Sequence, residues 1–399
     1  MINEKYRDML SKKSVIRNLS EFATKRGTEI GYENVFDFSL GNPSVPVPDA
    51  FSDAMVKLIK EENPMALHGY SPSLGNPEFK KAVAESLNRR FAMNYKPTHI
   101  FPTTGAAGAI AHALRAVTVP GDEVIVFAPF FPEYIPYITC TGAKIVTVPA
   151  DTEAFQINFG KFDELLTEKV KAVLINSPNN PTGVVYSEDT IRRLTDMLRE
   201  KSKKFGFNIY LISDEPYREI LFEGVKCPYP SKYYDHTLSC YSFSKSLSLP
   251  GERIGYVAAN PADPDSETII NMCGQISRGT GHNCPASLIQ QAVAKTIDLT
   301  SDLSVYETNM NLLYKELVSL GFSVVKPGGT FYIFPKALED DAVAFCNKAL
   351  KYDLVLVPAD SFACPGYFRM AYCIDTEKVE RSLTALRTFV KTEYPGVGH

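Results

Sequence analysis

Between about residue 95 and residue 260, short apolar runs alternate with segments whose apolar residues recur at helical spacing. The runs predict strands over His99–Thr104, Glu123–Ala128, Lys144–Pro149, Ala172–Asn176, Asn208–Ser213, Leu238–Phe243 and Ile254–Ala259. Between them, the Ala-rich stretch Gly105–Val117 reads as a helix, as do Pro132–Thr141, Phe162–Leu166 and Glu188–Phe205. The last carries Ile191, Leu194 and Leu198 on one face, with Ser187 as its N-cap. Strands alternating with helices predict a mostly parallel sheet covered on both faces. The expected fold class is therefore α/β, with a three-layer αβα large domain over residues 46–288. Residues 1–45 and 289–399 form a smaller α/β domain built from both termini, joined by a helix near Ala286–Leu320.

Composition narrows the function classes. The chain has 399 residues, 45% hydrophobic and 22% charged, with a formal net charge of −4 and no block of like charge. A nucleic-acid partner is disfavoured, since such proteins carry a basic excess or stripe. The longest apolar runs are strand-sized, which predicts no membrane span. MINEKYRDML lacks the apolar core of a signal peptide, so a cytoplasmic protein is expected. The eight cysteines form no C-x-x-C and have no His at zinc-ligand spacing, and no metal is expected. Neither G-x-G-x-x-G nor a P-loop signature occurs.

In a parallel sheet ligands bind beyond the carboxyl ends of the strands, so the residues that follow each strand matter most. Four strand ends stand out: Gly105-Ala-Ala-Gly108, Asn176-Ser-Pro-Asn-Asn-Pro-Thr-Gly183, Asp214-Glu-Pro-Tyr217, and Ser242-Phe-Ser-Lys245 with Arg253 eight residues on. Each alone has an ordinary explanation, because Asn-Pro and Gly make turns, Asp caps helices and most lysines are solvated. Their combination, in this order and at one sheet edge, is specific.

Together they resemble the aminotransferases of fold type I, class I/II, the group of the aspartate and aromatic aminotransferases, over nearly the whole chain from Gly41 to Arg369. The resemblance implies pyridoxal phosphate (PLP) as cofactor. It implies that Lys245 holds PLP as a Schiff base and then moves the substrate proton as general base. Asp214 would pair with the protonated pyridine nitrogen. Tyr217 and Asn180 would donate to the ring's phenolic oxygen, with Asn180 also facing the substrate. Arg253, Ser242, Ser244 and the main-chain N–H groups of Gly105, Ala106 and Ala107 would hold the phosphate. Here the chain departs from the family pattern, which often has a Ser or Thr hydroxyl in the turn at 105–107. Phe131 would stack on the pyridine ring where Trp or Tyr is usual, and the chain has no Trp.

On the substrate side, the resemblance implies that Arg369 clamps the α-carboxylate, helped by the backbone at Gly41 and Asn42. Tyr70 would reach the phosphate of a neighbouring subunit, which implies a homodimer with shared active sites. Arg278, five residues before Asn283, sits at a spacing similar to an arginine that binds a second carboxylate in aspartate-type enzymes. The expected reaction is ping-pong transfer of an amino group between an L-amino acid, aspartate or glutamate among them, and a 2-oxo acid such as 2-oxoglutarate.

Competing readings are a PLP-dependent carbon–sulfur β-lyase or decarboxylase on the same scaffold and, more distantly, a non-enzymatic sensor domain of a transcription regulator. The sensor reading suffers from only about 35 residues preceding Phe36, too few for a DNA-binding module. Ser242-x-x-Lys245 also fits the S-x-x-K of penicillin-binding enzymes, but the accompanying S-D-N and K-T-G are absent.

Overall fold

The computed structural model describes residues 2–11 and 15–397. Residues 1, 12–14, 398 and 399, all assigned above to the small domain, lie outside the described residues. The chain divides into two compact units, one of Val45–Asn180 with Val184–Leu303, the other of Met1–Ser44, Pro181–Gly183 and Ser304–His399. Strand β1 (Phe36–Asp37) belongs to the smaller unit. The larger contributes β2 (Ile100–Thr103), β3 (Glu123–Phe127), β4 (Lys144–Val148), β5 (Val170–Asn176), β6 (Tyr210–Asp214), β7 (Thr237–Ser242) and β8 (Gly255–Ala259). The smaller resumes with β9 (Tyr332–Ile333), β10 (Leu354–Val355), β11 (Val357–Pro358) and β12 (Phe368–Ala371).

The seven strands of the larger unit form one sheet in the order β2-β8-β7-β6-β5-β3-β4. Every pairing is parallel except those of β8, which runs against both β2 and β7. Successive side chains of a strand point to opposite faces, and both faces are apolar. Val124, Val126, Leu174 and Val257 pack on one side with Ile110, Leu114, Ile138 and Ile270 of the overlying helices. Ile125, Phe127, Val173 and Leu211 pack on the other with Phe162, Ile191, Leu194 and Leu198. Ile100, Tyr241 and Ala258 extend that second face beneath Phe79, Val83, Leu87 and Val293. The result is the expected three-layer arrangement.

The helix Glu188–Phe205 starts and stops as its sequence dictates. Ser187 Oγ accepts from the Thr190 N–H at 3.0 Å, and Gly206 ends the helix with φ +78°. Several boundaries shift by one to three residues, the helix predicted over Phe162–Leu166 running Phe159–Leu165, and two differences have a visible cause. The short helix after β3 begins at Tyr134 rather than Pro132, because Phe131 O first accepts the Tyr134 N–H. Instead of one helix near Ala286–Leu320 there are two, Ser287–Lys295 and Ser304–Ser319. The connection between them is tied down by the Ser301 N–H to Ser246 O bond at 2.8 Å and by Asp298, which accepts from Ser86 and Arg89 at 2.5 Å each.

In the smaller unit β11, β12 and β9 form an antiparallel sheet and β1 pairs with β10 in parallel. Phe345 anchors its core, 4.9 Å from the Phe368 ring and 5.1 Å from Phe389. Among the described residues no helix is long and apolar enough to cross a membrane.

Candidate active site

Three strand ends bring the anion-binding groups into register. Gly255, the first residue of the reversed strand β8, pairs with Thr103 at the end of β2 and with Ser242 at the end of β7. The helix Gly105–Val117 therefore starts beside Gly255. The approach is too close for a side chain, since a Cβ on Gly255 would lie 2.2 Å from Tyr241 O and 2.9 Å from the Gly105 backbone. Gly105 itself has φ +76°, and Thr104 gives the helix no side-chain cap. The first-turn N–H groups of Gly105, Ala106 and Ala107 and the positive end of the helix dipole thus face outward from the sheet edge.

Arg253 closes this cradle. Its backbone is left-handed, at φ +51°, and its guanidinium donates to Pro250 O at 2.8 Å and Thr104 O at 3.3 Å. A Cβ on Gly105 would sit 3.0 Å from its Nη2. Ser242 Oγ caps the turn Phe243–Ser246 by accepting the Ser244 N–H at 3.1 Å, and lies 2.7 Å from Ser244 Oγ. A guanidinium, two hydroxyls and an uncapped helix start converge, which is the donor set of an anion site. Lys245 follows directly in the same turn and is half-buried.

One strand further in lies the carboxylate. Asp214 ends β6, paired with Asn176 at the end of β5. The Asn176 amide donates to Asp214 O at 2.9 Å and accepts the Asn180 N–H at 2.7 Å, so one side chain holds the 177–180 turn against the β6 end. Asp214 is buried. Its Oδ2 accepts the Tyr134 hydroxyl at 2.5 Å, whereas Oδ1 is buried without a hydrogen-bond partner. Burial pushes this carboxyl up from an ordinary 3.8 to about 7, with the Tyr134 bond opposing the shift and Glu215 adding to it. Glu215 is buried too, but its charge is met by Arg218 at 2.8 Å. Arg218 in turn donates to Tyr256 OH at 3.0 Å and stacks 4.2 Å from the Tyr241 ring. Tyr217 is buried beside this pair. Phe131 sits edge-on to Tyr134, 5.9 Å between centroids at 89°.

In the smaller unit, Arg369 on β12 is 2% exposed. Its guanidinium donates to Ser39 O at 2.6 Å and lies over the rings of Tyr332, at 4.5 Å, and Phe362, at 5.0 Å. The Gly41 segment runs alongside, with Phe38 O accepting the Ala371 N–H at 2.8 Å. A Cβ on Gly41 would fall 1.9 Å from Tyr332 OH, so only glycine fits.

The larger unit thus gathers Gly105, Ala106, Ala107, Phe131, Asn180, Asp214, Tyr217, Ser242, Ser244, Lys245 and Arg253 along one sheet edge, and the smaller holds Gly41 with Arg369. Two expected site residues stand apart in the single chain. Tyr70 projects fully into solvent, and Arg278 is exposed in the last turn of the helix Ser266–Thr280. Asn176 and Tyr134 hold functional groups in place without having been singled out by sequence reasoning.

A mostly parallel seven-stranded sheet carrying these groups at its carboxyl edge is the α/β scaffold of the fold type I enzymes. The sequence profile of the family "Aminotransferase class I and II" matches residues 33–386. The chain belongs to this family and is an enzyme of the transaminase type. It is 30% identical over 366 residues to an aspartate aminotransferase of Thermotoga maritima, covering 90% of this chain and 92% of that protein. It is also 30% identical over 396 residues to aromatic-amino-acid aminotransferase 2 of Thermococcus litoralis, at 95% and 96% coverage. Among solved structures, an amino transferase from Eubacterium rectale superposes with a TM-score of 0.96 at 44% identity, covering 99% of both chains.

Proposed function

We propose that this enzyme is a PLP-dependent aminotransferase that moves an amino group between an L-amino acid and a 2-oxo acid such as 2-oxoglutarate by a ping-pong mechanism. The family is PLP-dependent, and the residues of this chain fit the cofactor. The observation that carries the reading is Asp214, a buried carboxylate with one orphaned oxygen whose charge is costly until a cationic N–H meets it. A protonated pyridine nitrogen is such a group. When bound, PLP supplies an electrophilic aldehyde carbon and a ring that accepts the electron pair released at the substrate's α-carbon.

The chain's own residues do the rest. Arg253, Ser242, Ser244 and the amides of residues 105–107 hold the phosphate dianion. Phe131 would pack against the ring, while Asn180 and Tyr217 would donate hydrogen bonds to its phenolic oxygen. Lys245 Nζ would hold the cofactor covalently and, once free, would take and return the substrate's α-proton. Arg369 binds the α-carboxylate common to all amino-acid substrates, its planar fork matching the two oxygens. Arg278 supports a dicarboxylic donor, aspartate or glutamate, as the first substrate to test. Its exposure, with that of Tyr70, Met65 and Ile59, supports a homodimer in which both residues act across the interface. Eight free cysteines fit a reducing cytoplasm.

The test is covalent trapping. Borohydride reduction followed by peptide mass spectrometry should find reduced cofactor on Lys245. Lys245→Ala should lose the adduct and roughly 10²–10⁴-fold or more of its transamination rate. An adduct retained in that variant overturns the assignment. Pyruvate and ammonia formed from one amino acid without a 2-oxo acid would identify the lyase instead.

A further inference from the structure

Tyr134 and Asp214 form a buried pair that the proposed reaction does not by itself require. We infer that Tyr134 is a positioning residue for Asp214: its hydroxyl, 2.5 Å from Oδ2, occupies one carboxylate oxygen and leaves Oδ1 as the single acceptor for a cationic N–H. The inference rests on the cofactor reading of Asp214.

The phenol is held from three sides. Tyr134 is 1% exposed, stacks on Phe130 at 6.3 Å and 14°, and meets Phe131 edge-on. Its backbone N–H donates to Phe131 O at 3.0 Å, which fixes the start of its helix relative to the stacking ring. The cavity beside it, lined by Phe127, Asn176, Asn179 and Tyr186, measures about 10 Å³. That is at the lower limit of what a single water needs, so bulk solvent does not reach the phenol's bond. Burial first, and the Asp214 charge second, push Tyr134 well above its ordinary 10, so it keeps its proton and remains a donor throughout the neutral range. A charge-assisted bond of this kind stabilises the ionised carboxylate and locks its rotation. Tyr134 therefore couples two contacts of the ligand, the aromatic face through Phe131 and the acid through Asp214. The other titratable groups that face the pair are Glu215, Cys240, Tyr137 and Tyr217, and Tyr134→Phe leaves all four side chains in place.

Tyr134→Phe keeps the ring packing and removes only the hydroxyl. In cofactor-free protein labelled with [4-¹³C]aspartate, the Asp214 signal, assigned through Asp214→Asn, should titrate about one pH unit higher than in the wild type. A fluorinated, more acidic phenol at the same position should move it the opposite way, a reversal that loss of packing does not produce. Absorbance titration of the same protein with PLP should give roughly tenfold weaker binding for Tyr134→Phe. Wild-type protein that binds PLP, alongside a Tyr134→Phe variant with unchanged affinity and unchanged Asp214 titration, overturns the inference and leaves the proposed function standing. Wild-type protein that takes up no PLP removes both. If Tyr134→Phe fails to fold, the fluorinated phenol alone decides, and an unmoved Asp214 titration overturns the inference.

Discussion

Asp214 illustrates how a single buried group ties stability to the ligand it awaits. With its carboxyl raised from 3.8 to about 7, the folded cofactor-free protein holds a proton that the unfolded chain has already lost between those values. Stability contributed by this group is therefore present below about pH 4 and falls as pH rises through 7, by roughly 4 kcal/mol in full. Urea unfolding of the cofactor-free protein at pH 5 and pH 8 should show this decline, and Asp214→Asn, which carries no titrating proton, should flatten it. The same substitution should weaken PLP binding, since the neutral amide cannot meet a ring cation. On the proposed substrate roles, Arg369 and Arg278 should separate experimentally. Arg369→Ala should lower kcat/KM for every amino acid by roughly 10²-fold or more, because a fully desolvated carboxylate loses its partner. Arg278→Ala should penalise only dicarboxylates, measured as the ratio of kcat/KM for aspartate to that for a neutral amino acid. An equal loss for both removes the argument for aspartate. At this scale Asp214 and Lys245 could be placed just past predicted strands, and only their combination with Asn180, Tyr217 and Arg253 set them apart from an ordinary cap and a solvated lysine. Tyr134 and Asn176 were not legible, since their partners lie 80 and 38 residues away and neither type advertises the bond.

At the scale of elements, the cradle depends on backbone proximity as much as on charge. Gly255 lets β8 start against Tyr241 and Gly105, where a methyl group has no room. Gly255→Ala should destabilise the protein by about 1–3 kcal/mol, as expected for overpacking, and should also weaken phosphate-bearing ligands by moving the helix start. Thermal unfolding with and without inorganic phosphate checks both effects. If stability falls and phosphate affinity does not, the helix start is not the anion site. The strands and the helices over the sheet were readable from period and apolar content, because sandwiched strands are apolar on both faces. The direction of β8 was not, as antiparallel and parallel central strands have the same composition. The break between Ser287–Lys295 and Ser304–Ser319 was likewise hidden, for it is made by Asp298 and Ser301 reaching residues far away in sequence.

For the whole molecule, the expected composition of the smaller unit from both termini was an inference from where the alternation stops. Nothing in Asn-Pro-Thr-Gly signals that Pro181–Gly183 groups with that unit. Its logic is visible only in space, where Gly183, at φ +72°, accepts the N–H groups of Gly328 and Gly329 through its carbonyl. Tyr70, exposed in the single chain, is the residue whose proposed role depends most on assembly. Mixing a Tyr70→Phe chain with a Lys245→Ala chain should place one complete site in each mixed dimer. Partial recovery of activity, above the sum of the two inactive-leaning parents, supports a site shared between copies, and strictly additive activity refutes it.

The reversal of β8 has a consequence for how a ligand is gripped. Residues 242–255 leave the sheet at Ser242 and re-enter it one strand over, pinned at both feet. The amine and the guanidinium to which the proposed function gives the covalent bond and the anion, Lys245 and Arg253, therefore ride on one short hoop. On that reading, a change at either foot of the hoop should disturb the covalent and the anionic contact together.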